Sequence, residues 1–255
     1  MHKDVHPDYN HAMAKSIYWT LVDHSQLPQE QAGLWLGSTE LQKLSSLRFP
    51  KRREEWLLGR WAAKSLAHSL PGYRQFALSD LEVRNSPDGS PHLWLPEGEP
   101  APDCLSISHS HQLALVAMTP GPALRIGADL EKIEPRSHEF VEDYFTSAER
   151  SRVDSLPAEA RDTVSTLIWS AKESMLKALQ VGLRWDTRQV EIFSVQGLRP
   201  DPVENILWQG MQVGDPKPAG RHWAGWWQRR DDFLMTIVGM ASDAAELEAV
   251  ELIKK

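Results

Sequence analysis

The chain has 255 residues, of which 41% are hydrophobic and 25% charged, a composition ordinary for a folded globular protein. Its 35 acidic and 28 basic side chains give a net charge of −7, which argues against general nucleic-acid binding, because that function needs a basic surface. A single cysteine excludes an internal disulfide and a cysteine-based zinc cluster. No stretch approaches the ~20 apolar residues of a membrane span, and the first residues lack the apolar run of a secretion signal. We therefore expect a cytoplasmic protein that binds neither membranes nor nucleic acid.

The first part of the chain mixes helical and strand patterns. Residues 17–22, 81–84, 105–108 and 113–118 are short and apolar or alternating, which predicts strands, the last two forming a hairpin. Helical patterns cover residues 29–36, 39–47 and 52–69, and the last of them stops before Pro71-Gly72. The segment Thr119-Pro-Gly-Pro122 is the best candidate for a domain boundary.

After this boundary the pattern begins again. It predicts a strand at 124–131, helices at 137–156 and 158–181, a second hairpin from 223–227 and 233–240, and a terminal helix at 244–252. The sequence thus indicates an α+β protein built from two similar α/β halves, residues 1–121 and 122–255. A cleft between the halves is the expected place for a ligand.

One strand carries a pair of acids. In Arg125-Ile-Gly-Ala-Asp-Leu-Glu131, alternation places Asp129 and Glu131 on one face and the apolar residues on the other. Neighbouring carboxylates repel unless a proton or cation lies between them, and hard oxygen ligands suit Mg²⁺. Gly127 leaves room beside the pair for a bulky ligand. By itself the pattern favours a solvated strand face.

The segment 167–179 has helical periodicity, with an apolar stripe that should face the core. Glu173 and Lys177 lie one turn apart on a different face, where an acid and a cation could serve a metal and a phosphate. Taken alone, their spacing favours a surface ion pair.

The two segments together resemble a known family. Gly127-Ala-Asp-Leu-Glu131, followed about forty residues later by Trp169-Ser-Ala-Lys-Glu-Ser-Met-Leu-Lys177, is similar to the paired signature of Sfp-type 4′-phosphopantetheinyl transferases. The segment Tyr144-Phe-Thr-Ser-Ala-Glu149 before the second motif also follows this family. The resemblance implies a monomeric enzyme with a pseudo-twofold axis between its halves. It implies transfer of 4′-phosphopantetheine from coenzyme A to a serine of an acyl or peptidyl carrier protein, with release of adenosine 3′,5′-bisphosphate.

The resemblance also assigns roles to residues. Asp129, Glu131 and Glu173 would hold Mg²⁺ on the pyrophosphate, and Lys172 and Lys177 would contact the pyrophosphate directly. Asp129, Glu173 and Lys177 would thus be the catalytic residues, and Glu173 would also help to remove the serine proton. Whether Glu173, a water or Glu149 acts as the base stays open, because Thr146 and Glu149 also fit a helix capping box.

Coenzyme A contacts follow from the same resemblance. The pair Ser108-His109 matches a phosphate-binding Ser-His, although His109 with His111 leaves a zinc site as a lesser alternative. A basic cluster near residue 50 would grip the 3′-phosphate, with Arg48, Lys51 and Lys64 as the favoured residues. Ser90 stands where the family often has a lysine, which puts one phosphate contact in doubt.

Carrier docking is expected on the first part of the second half. Lys132, Arg136, Arg150 and Arg152 could complement an acidic carrier protein. Two rival functions stay open: another Mg²⁺-dependent phosphoryl-transfer enzyme, such as a nuclease, and an inactive homologue that only binds carrier proteins.

Overall fold

The computed structural model describes residues 16–196, 207–215, 220–247 and 250–255. The segment 1–15, where we expect no secretion signal, lies outside these ranges. The helices are α1 (Ala32–Trp35), α2 (Ser38–Ser46), α3 (Pro50–Ser69), α4 (His138–Tyr144), α5 (Ser147–Asp154) and α6 (Ala158–Leu179). The strands are β1 (Ser16–Asp23), β2 (Glu82–Asn85), β3 (Pro91–Trp94), β4 (Cys104–Ser110), β5 (Leu113–Thr119), β6 (Arg125–Lys132), β7 (Glu191–Val195), β8 (Gln209–Gly214), β9 (His222–Arg230), β10 (Phe233–Ala241) and β11 (Glu251–Lys254).

Two sheets organise these elements, which makes the protein α+β as expected. The first sheet has the strand order β11-β1-β5-β4, and β2 and β3 form a separate antiparallel pair. The second sheet has the order β6-β10-β9-β8-β7. The long helix α3 packs on the first sheet and α6 on the second, because each helix presents an apolar stripe to its sheet. None of the described helices combines the length and the apolar composition that crossing a bilayer requires.

The two sheets meet through a shared core. The apolar face of β6, formed by Ile126, Ala128 and Leu130, packs against Ile17 and Leu115 of the first sheet. The hydroxyl of Ser106 on β4 accepts a hydrogen bond from the backbone N–H of residue 128 at 2.9 Å. The predicted alternation of β6 is therefore correct, and its apolar face forms the junction with the first sheet.

The other face of β6 lies directly against α6. A β-carbon added at Gly127 would lie 1.8 Å from the backbone oxygen of Ser174 and 2.8 Å from the backbone nitrogen of Ala178. Only glycine permits this approach of strand and helix, because any side chain would overlap the α6 backbone. This corrects the expectation that Gly127 leaves room for a ligand: the helix fills the space.

Most of the predicted elements are confirmed within a few residues, including both hairpins. The predicted helix 137–156 is two helices, because Phe145 turns into the core and Thr146 caps α5 with a reciprocal box to Glu149. The predicted terminal helix is wrong. Residues 244–247 form one 3₁₀ turn, and β11 pairs in parallel with β1, where Leu252 joins the core between the sheets.

Candidate functional site

Asp129 lies at the centre of the acidic site, buried where β6 meets α6 and β4. Its Oδ1 accepts hydrogen bonds from Ser108 Oγ at 2.9 Å and from Lys177 Nζ at 2.7 Å. Lys177 Nζ also donates to the backbone carbonyl of Ala128 at 3.1 Å. Asp129 Oδ2 is buried and has no hydrogen-bond partner. A buried carboxylate oxygen without a partner is costly, so this atom marks a place where a cation or donor would be stabilised.

Glu131 and Glu173 complete the acidic cluster. Burial raises the pKa of Glu131, and the charge of Asp129 raises it further, whereas Arg136, 2.9 Å away, opposes the rise. Burial also raises the pKa of Glu173, to about 7; Lys177 lowers it, and the charges of Asp129 and Glu131 raise it again. The charge of Asp129 therefore acts on both glutamates, and the charge of Glu131 acts on Glu173.

The acidic cluster offers the type of ligand that suits a divalent metal ion. Three carboxylates with one partnerless buried oxygen are hard ligands of the kind that Mg²⁺ prefers. Within the described ranges, however, no three His, Cys, Asp or Glu side chains stand in a geometry that could hold a metal ion. Two cations of the protein explain this: Lys177 binds an oxygen of Asp129, and Arg136 binds an oxygen of Glu131. The same finding gives no support to zinc at His109 and His111.

Lys172 lies away from this cluster. Its side chain is fully buried, and Nζ contacts Glu149 Oε2 at 2.8 Å, the carbonyl of Thr187 at 2.9 Å and the carbonyl of Val190 at 2.7 Å. An ammonium group has three N–H donors, and all three have protein acceptors here. This corrects the expectation that Lys172 contacts pyrophosphate. Glu149, also fully buried and ion-paired, is likewise removed as a candidate base.

Ser108 and His109, adjacent on β4, face different surroundings. The hydroxyl of Ser108 donates to Asp129 and accepts from the backbone N–H of Leu130 at 3.2 Å. It therefore holds the acidic residue and is not free for a phosphate, which corrects that expectation. The side chain of His109 keeps contact with solvent, yet partial desolvation of the imidazole lowers its pKa. The charge of Glu55 raises this pKa, whereas the charges of Lys177 and Arg60 lower it. Its imidazole thus lies close to Lys177 of the acidic site and to Glu55 and Arg60 of α3.

A cavity of about 1020 Å³ opens in the first half beside His109. Basic side chains line much of it: Lys43, Lys51, Arg52, Arg60 and Arg84. The acids around it have partners, because Glu40 binds Lys64, Glu55 lies 3.9 Å from Lys51, and Glu82 binds Arg84. The remaining positive charge favours an anionic ligand.

The three predicted 3′-phosphate residues lie in different places. Lys51 lines the cavity. Arg48 is exposed to solvent and is outside the described lining of this cavity. Lys64 is fully buried, with Nζ 2.5 Å from Glu40 Oε2, so it cannot meet a ligand. This corrects the expectation for Lys64.

A second cavity, of about 190 Å³, continues the first one between the halves. The two share Gly89, Pro91 and Ile107 as lining residues, and the second is bordered by Lys177. One cleft therefore leads from the basic cavity of the first half to the lysine that binds Asp129.

Comparison with known proteins places this site in a family. Residues 125–238 match the family model of the 4′-phosphopantetheinyl transferase superfamily. The holo-(acyl-carrier-protein) synthase of Lactococcus lactis subsp. cremoris is 32% identical over 107 residues, which cover 89% of that protein and 37% of this chain. The chain belongs to the 4′-phosphopantetheinyl transferase superfamily. It is a transferase of this type, as the sequence resemblance indicates.

Two further similarities were found. The transferase is 27% identical over 164 residues to the 4′-phosphopantetheinyl transferase HetI of Nostoc sp., covering 64% of this chain and 67% of that protein. A crystal structure of a holo-(acyl-carrier-protein) synthase from Bacillus anthracis in complex with coenzyme A (3′,5′-ADP) matches with 24% identity and a TM-score of 0.36, over 42% of this chain and 97% of that one.

Sequence reasoning missed two basic residues of the transferase cavity. Lys43, at the end of α2, reads as an ordinary exposed helical lysine. Arg60 was not among the favoured phosphate contacts, yet its side chain is 8% exposed, and burial lowers its pKa to about 10. Its guanidinium donates to Asn85 and lies 4.9 Å from the Trp56 ring, while Nε has no partner. The available signal was its position on the apolar side of α3, one turn from Lys64.

The raised pKa of Glu173 predicts a pH-dependent stability. A carboxyl whose pKa is higher in the folded protein than in the unfolded chain stabilises the fold below about pH 4.5, and this contribution is lost as pH rises through about 7. Between pH 5 and pH 8 in EDTA, the wild type should therefore lose on the order of 1–3 kcal/mol of unfolding free energy relative to Glu173→Gln. Urea denaturation at each pH measures this difference. Glu97→Gln, at an exposed site, is the control, and parallel curves for wild type and Glu173→Gln would contradict the assignment.

Proposed function

We propose that the transferase moves 4′-phosphopantetheine from coenzyme A to a serine of an apo carrier protein, releases adenosine 3′,5′-bisphosphate and depends on Mg²⁺. The observation that carries this proposal is the cleft itself. Near one end lie Lys177 and three carboxylates, of which Asp129 has a buried oxygen without a partner, and at the other end lies a basic cavity large enough for a nucleotide. This distribution of charge suits a ligand with a 3′-phosphate at one end and a pyrophosphate near its middle.

The acidic end would hold the metal. Asp129, Glu131 and Glu173 would supply its protein ligands, once Lys177 and Arg136 release the oxygens that they bind. When bound, Mg²⁺ neutralises charge on the pyrophosphate oxygens as the bridging bond breaks. Lys177 would then lie free to donate to the same oxygens, because a departing phosphate needs positive charge where its negative charge develops.

The chemistry proper involves one bond made and one broken. The serine oxygen of the carrier forms a bond to the phosphorus that carries pantetheine, and the P–O bond to adenosine 3′,5′-bisphosphate breaks. The serine proton must leave, and Glu173 would accept it directly or through a water. Asp129 would act as a ligand of the metal, and Lys177 would donate hydrogen bonds to the phosphate oxygens.

The basic cavity would bind the adenosine end of coenzyme A. Lys43, Lys51 and His109 line it from three elements, and Arg60 supplies a buried guanidinium. A guanidinium binds phosphate through two parallel N–H donors, and a desolvated one gives up little water on binding. We propose Arg60 as the main contact of the 3′-phosphate, which would compensate for Ser90 at the position where the family often has lysine.

The arrangement of the chain enters the same proposal. The transferase would act as a cytoplasmic monomer with two halves, 1–121 and 122–255, related by a pseudo-twofold axis. The similar strand orders β1-β5-β4 and β6-β10-β9, each with one long helix on its face, support this relation. The first half would bind coenzyme A, and the second would hold the metal and dock the carrier.

Carrier docking would use the surface near the acidic end. Of the four predicted basic residues, Arg136 binds Glu131, and Arg152 donates to the carbonyls of Ile192 and Phe193, both at 2.6 Å. Lys132 and Arg150 form no ion pair among the described residues, and they are therefore the better candidates for an acidic partner.

The reaction is tested by incubating apo carrier proteins with coenzyme A and Mg²⁺. Mass spectrometry should show a gain of the phosphopantetheine mass on serine, and EDTA should abolish it. Asp129→Ala and Glu173→Ala should each lower turnover by at least about 100-fold while the far-UV spectrum is unchanged, because a charge-stabilising ligand of the transition state is lost. Wild-type protein that modifies none of a fatty-acid, polyketide and peptide carrier panel would contradict the function. Turnover by either variant at limiting Mg²⁺ near that of wild type would contradict the metal assignment.

The contact of Arg60 is tested with coenzyme A and its 3′-dephospho analogue. Arg60→Gln should weaken binding of coenzyme A by about 10- to 100-fold, because a charge-assisted contact is lost, and should leave binding of the analogue unchanged. Isothermal titration calorimetry measures both ligands. Arg53→Gln, a charge change at an exposed position of the same helix, is the matched control. Equal losses for the two ligands would show that Arg60 does not contact the 3′-phosphate.

The docking surface is tested by charge reversal. Lys132→Glu and Arg150→Glu should each raise the carrier KM several-fold and leave coenzyme A affinity unchanged, because like charges would meet at the interface. Steady-state kinetics at varied carrier concentration give both constants. Arg188→Glu, which removes an exposed basic residue elsewhere, is the control, and an unchanged carrier KM in both test variants would place docking on another surface.

A further inference from the structure

A buried glutamate and a buried lysine form the same arrangement in each half of the chain. In the first half they are Glu40 on α2 and Lys64 on α3, and in the second half Glu149 on α5 and Lys172 on α6. The two lysine side chains are 0% exposed, and the glutamates are 2% and 0% exposed. We call these the first clamp and the second clamp.

The second clamp joins three elements. Glu149 Oε2 accepts from the backbone N–H of Thr146, which precedes α5, at 2.9 Å, and lies 2.8 Å from Lys172 Nζ. Its Oε1 accepts from the backbone N–H of Ile192 on β7 at 2.9 Å. Lys172 also binds the carbonyls that lead into β7. The start of α5, the middle of α6 and the start of β7 are thus tied to one carboxylate.

The first clamp repeats the three contacts of the glutamate. Glu40 Oε2 accepts from the backbone N–H of Gly37, which precedes α2, at 3.0 Å, and from Lys64 Nζ at 2.5 Å. Its Oε1 accepts from the backbone N–H of Val83 on β2 at 2.8 Å. The sequences before the lysines are also alike: Trp61-Ala-Ala-Lys64 and Trp169-Ser-Ala-Lys172. The two halves therefore share a structural device as well as a strand order.

The residues that follow the two lysines differ in chemistry. After Lys172 come Glu173 and, one turn later, Lys177, both in the acidic site. After Lys64 the same positions are Ser65 and Ser69. The charged residues of the acidic site thus follow the lysine of the second clamp, whereas the first clamp has Glu40 in the wall of the basic cavity and Arg60 one turn before its lysine.

Burying the charged side chains of the two clamps costs folding free energy. Burial lowers the pKa of both lysines and raises the pKa of Glu149, which shows that desolvation opposes the charged pair. Buried ion pairs are weak stabilisers compared with apolar residues of the same size, so geometric fixation is the better explanation for keeping them. One residue along a helix corresponds to 100° of rotation, and fixing residue 172 therefore fixes the direction of residue 173.

We propose that the second clamp is a positioning device that sets the rotation of α6 and thereby aims Glu173 and Lys177 at Asp129, while the first clamp, its counterpart, shapes the coenzyme A cavity. Lys172 and Glu149 are thus positioning residues that touch no substrate. This inference rests on the proposed function for its kinetic meaning, and on the duplicated contacts for its structural meaning.

Matched double variants test the proposal. Glu149→Gln/Lys172→Met and Glu40→Gln/Lys64→Met each replace a buried ion pair by neutral groups of similar shape, which avoids leaving one charge unpaired. We expect similar losses of thermal stability in the two proteins. The second-clamp variant should lose kcat by at least about 30-fold with KM for coenzyme A within threefold of wild type. The first-clamp variant should keep kcat within threefold and raise KM for coenzyme A at least about fivefold.

Equal loss of kcat in the two variants, or an unchanged kcat in the second-clamp variant, would overturn the proposal. If the second-clamp double variant does not fold, Lys172→Gln, which keeps a shorter donor, is measured instead, with the same expected drop in kcat. If wild type modifies no carrier, the proposed function fails and the clamp is still tested by amide hydrogen exchange. Exchange in residues 169–179 should then rise in the second-clamp variant and not in the first-clamp variant; a rise in both or in neither would overturn the clamp.

Discussion

The close contact between β6 and α6 is the constraint on which the site depends. With glycine at position 127, the strand reaches the backbone of the helix, and no other residue fits there. This contact brings Asp129 of the strand within 2.7 Å of Lys177 of the helix and places Glu173 in the field of two further carboxylates. A side chain at position 127 would separate the two elements and disperse the acidic cluster.

The acidic cluster gathers like charges in a partly desolvated place, which costs folding free energy. The pKa of Glu173, raised to about 7, expresses this cost, and Lys177 relieves part of it. In this structure Lys177 forms an ion pair with Asp129, and Arg136 forms an ion pair with Glu131. Such a site is suited to exchange those cations for a divalent ion and a pyrophosphate, since charge compensation is required in both states.

The two halves contain similar structural elements but form different sites. Each has a long helix on a sheet and a buried glutamate–lysine pair that ties helix to strand. The second half adds carboxylates beside its pair, whereas the first half adds cationic side chains around a cavity. This division explains how a chain with a net charge of −7 still offers a basic surface to an anionic ligand.

The sequence by itself determined the local patterns: the alternation that puts Asp129 and Glu131 on one face of β6, the apolar stripe of α6 and the capping box of Thr146 and Glu149. These follow from periods of two and 3.6 residues and from short-range hydrogen bonds, which a reader can count along the chain. Only the tertiary structure decided that Lys64 and Lys172 turn inward, that Ser108 binds Asp129, and that the chain end forms a strand beside β1 instead of a helix. Each of these depends on partners 21 to 235 residues away, as for Ser108 and Asp129 or Thr20 and Lys255, and the charge of a lysine carries no record of which distant carboxylate will pair with it.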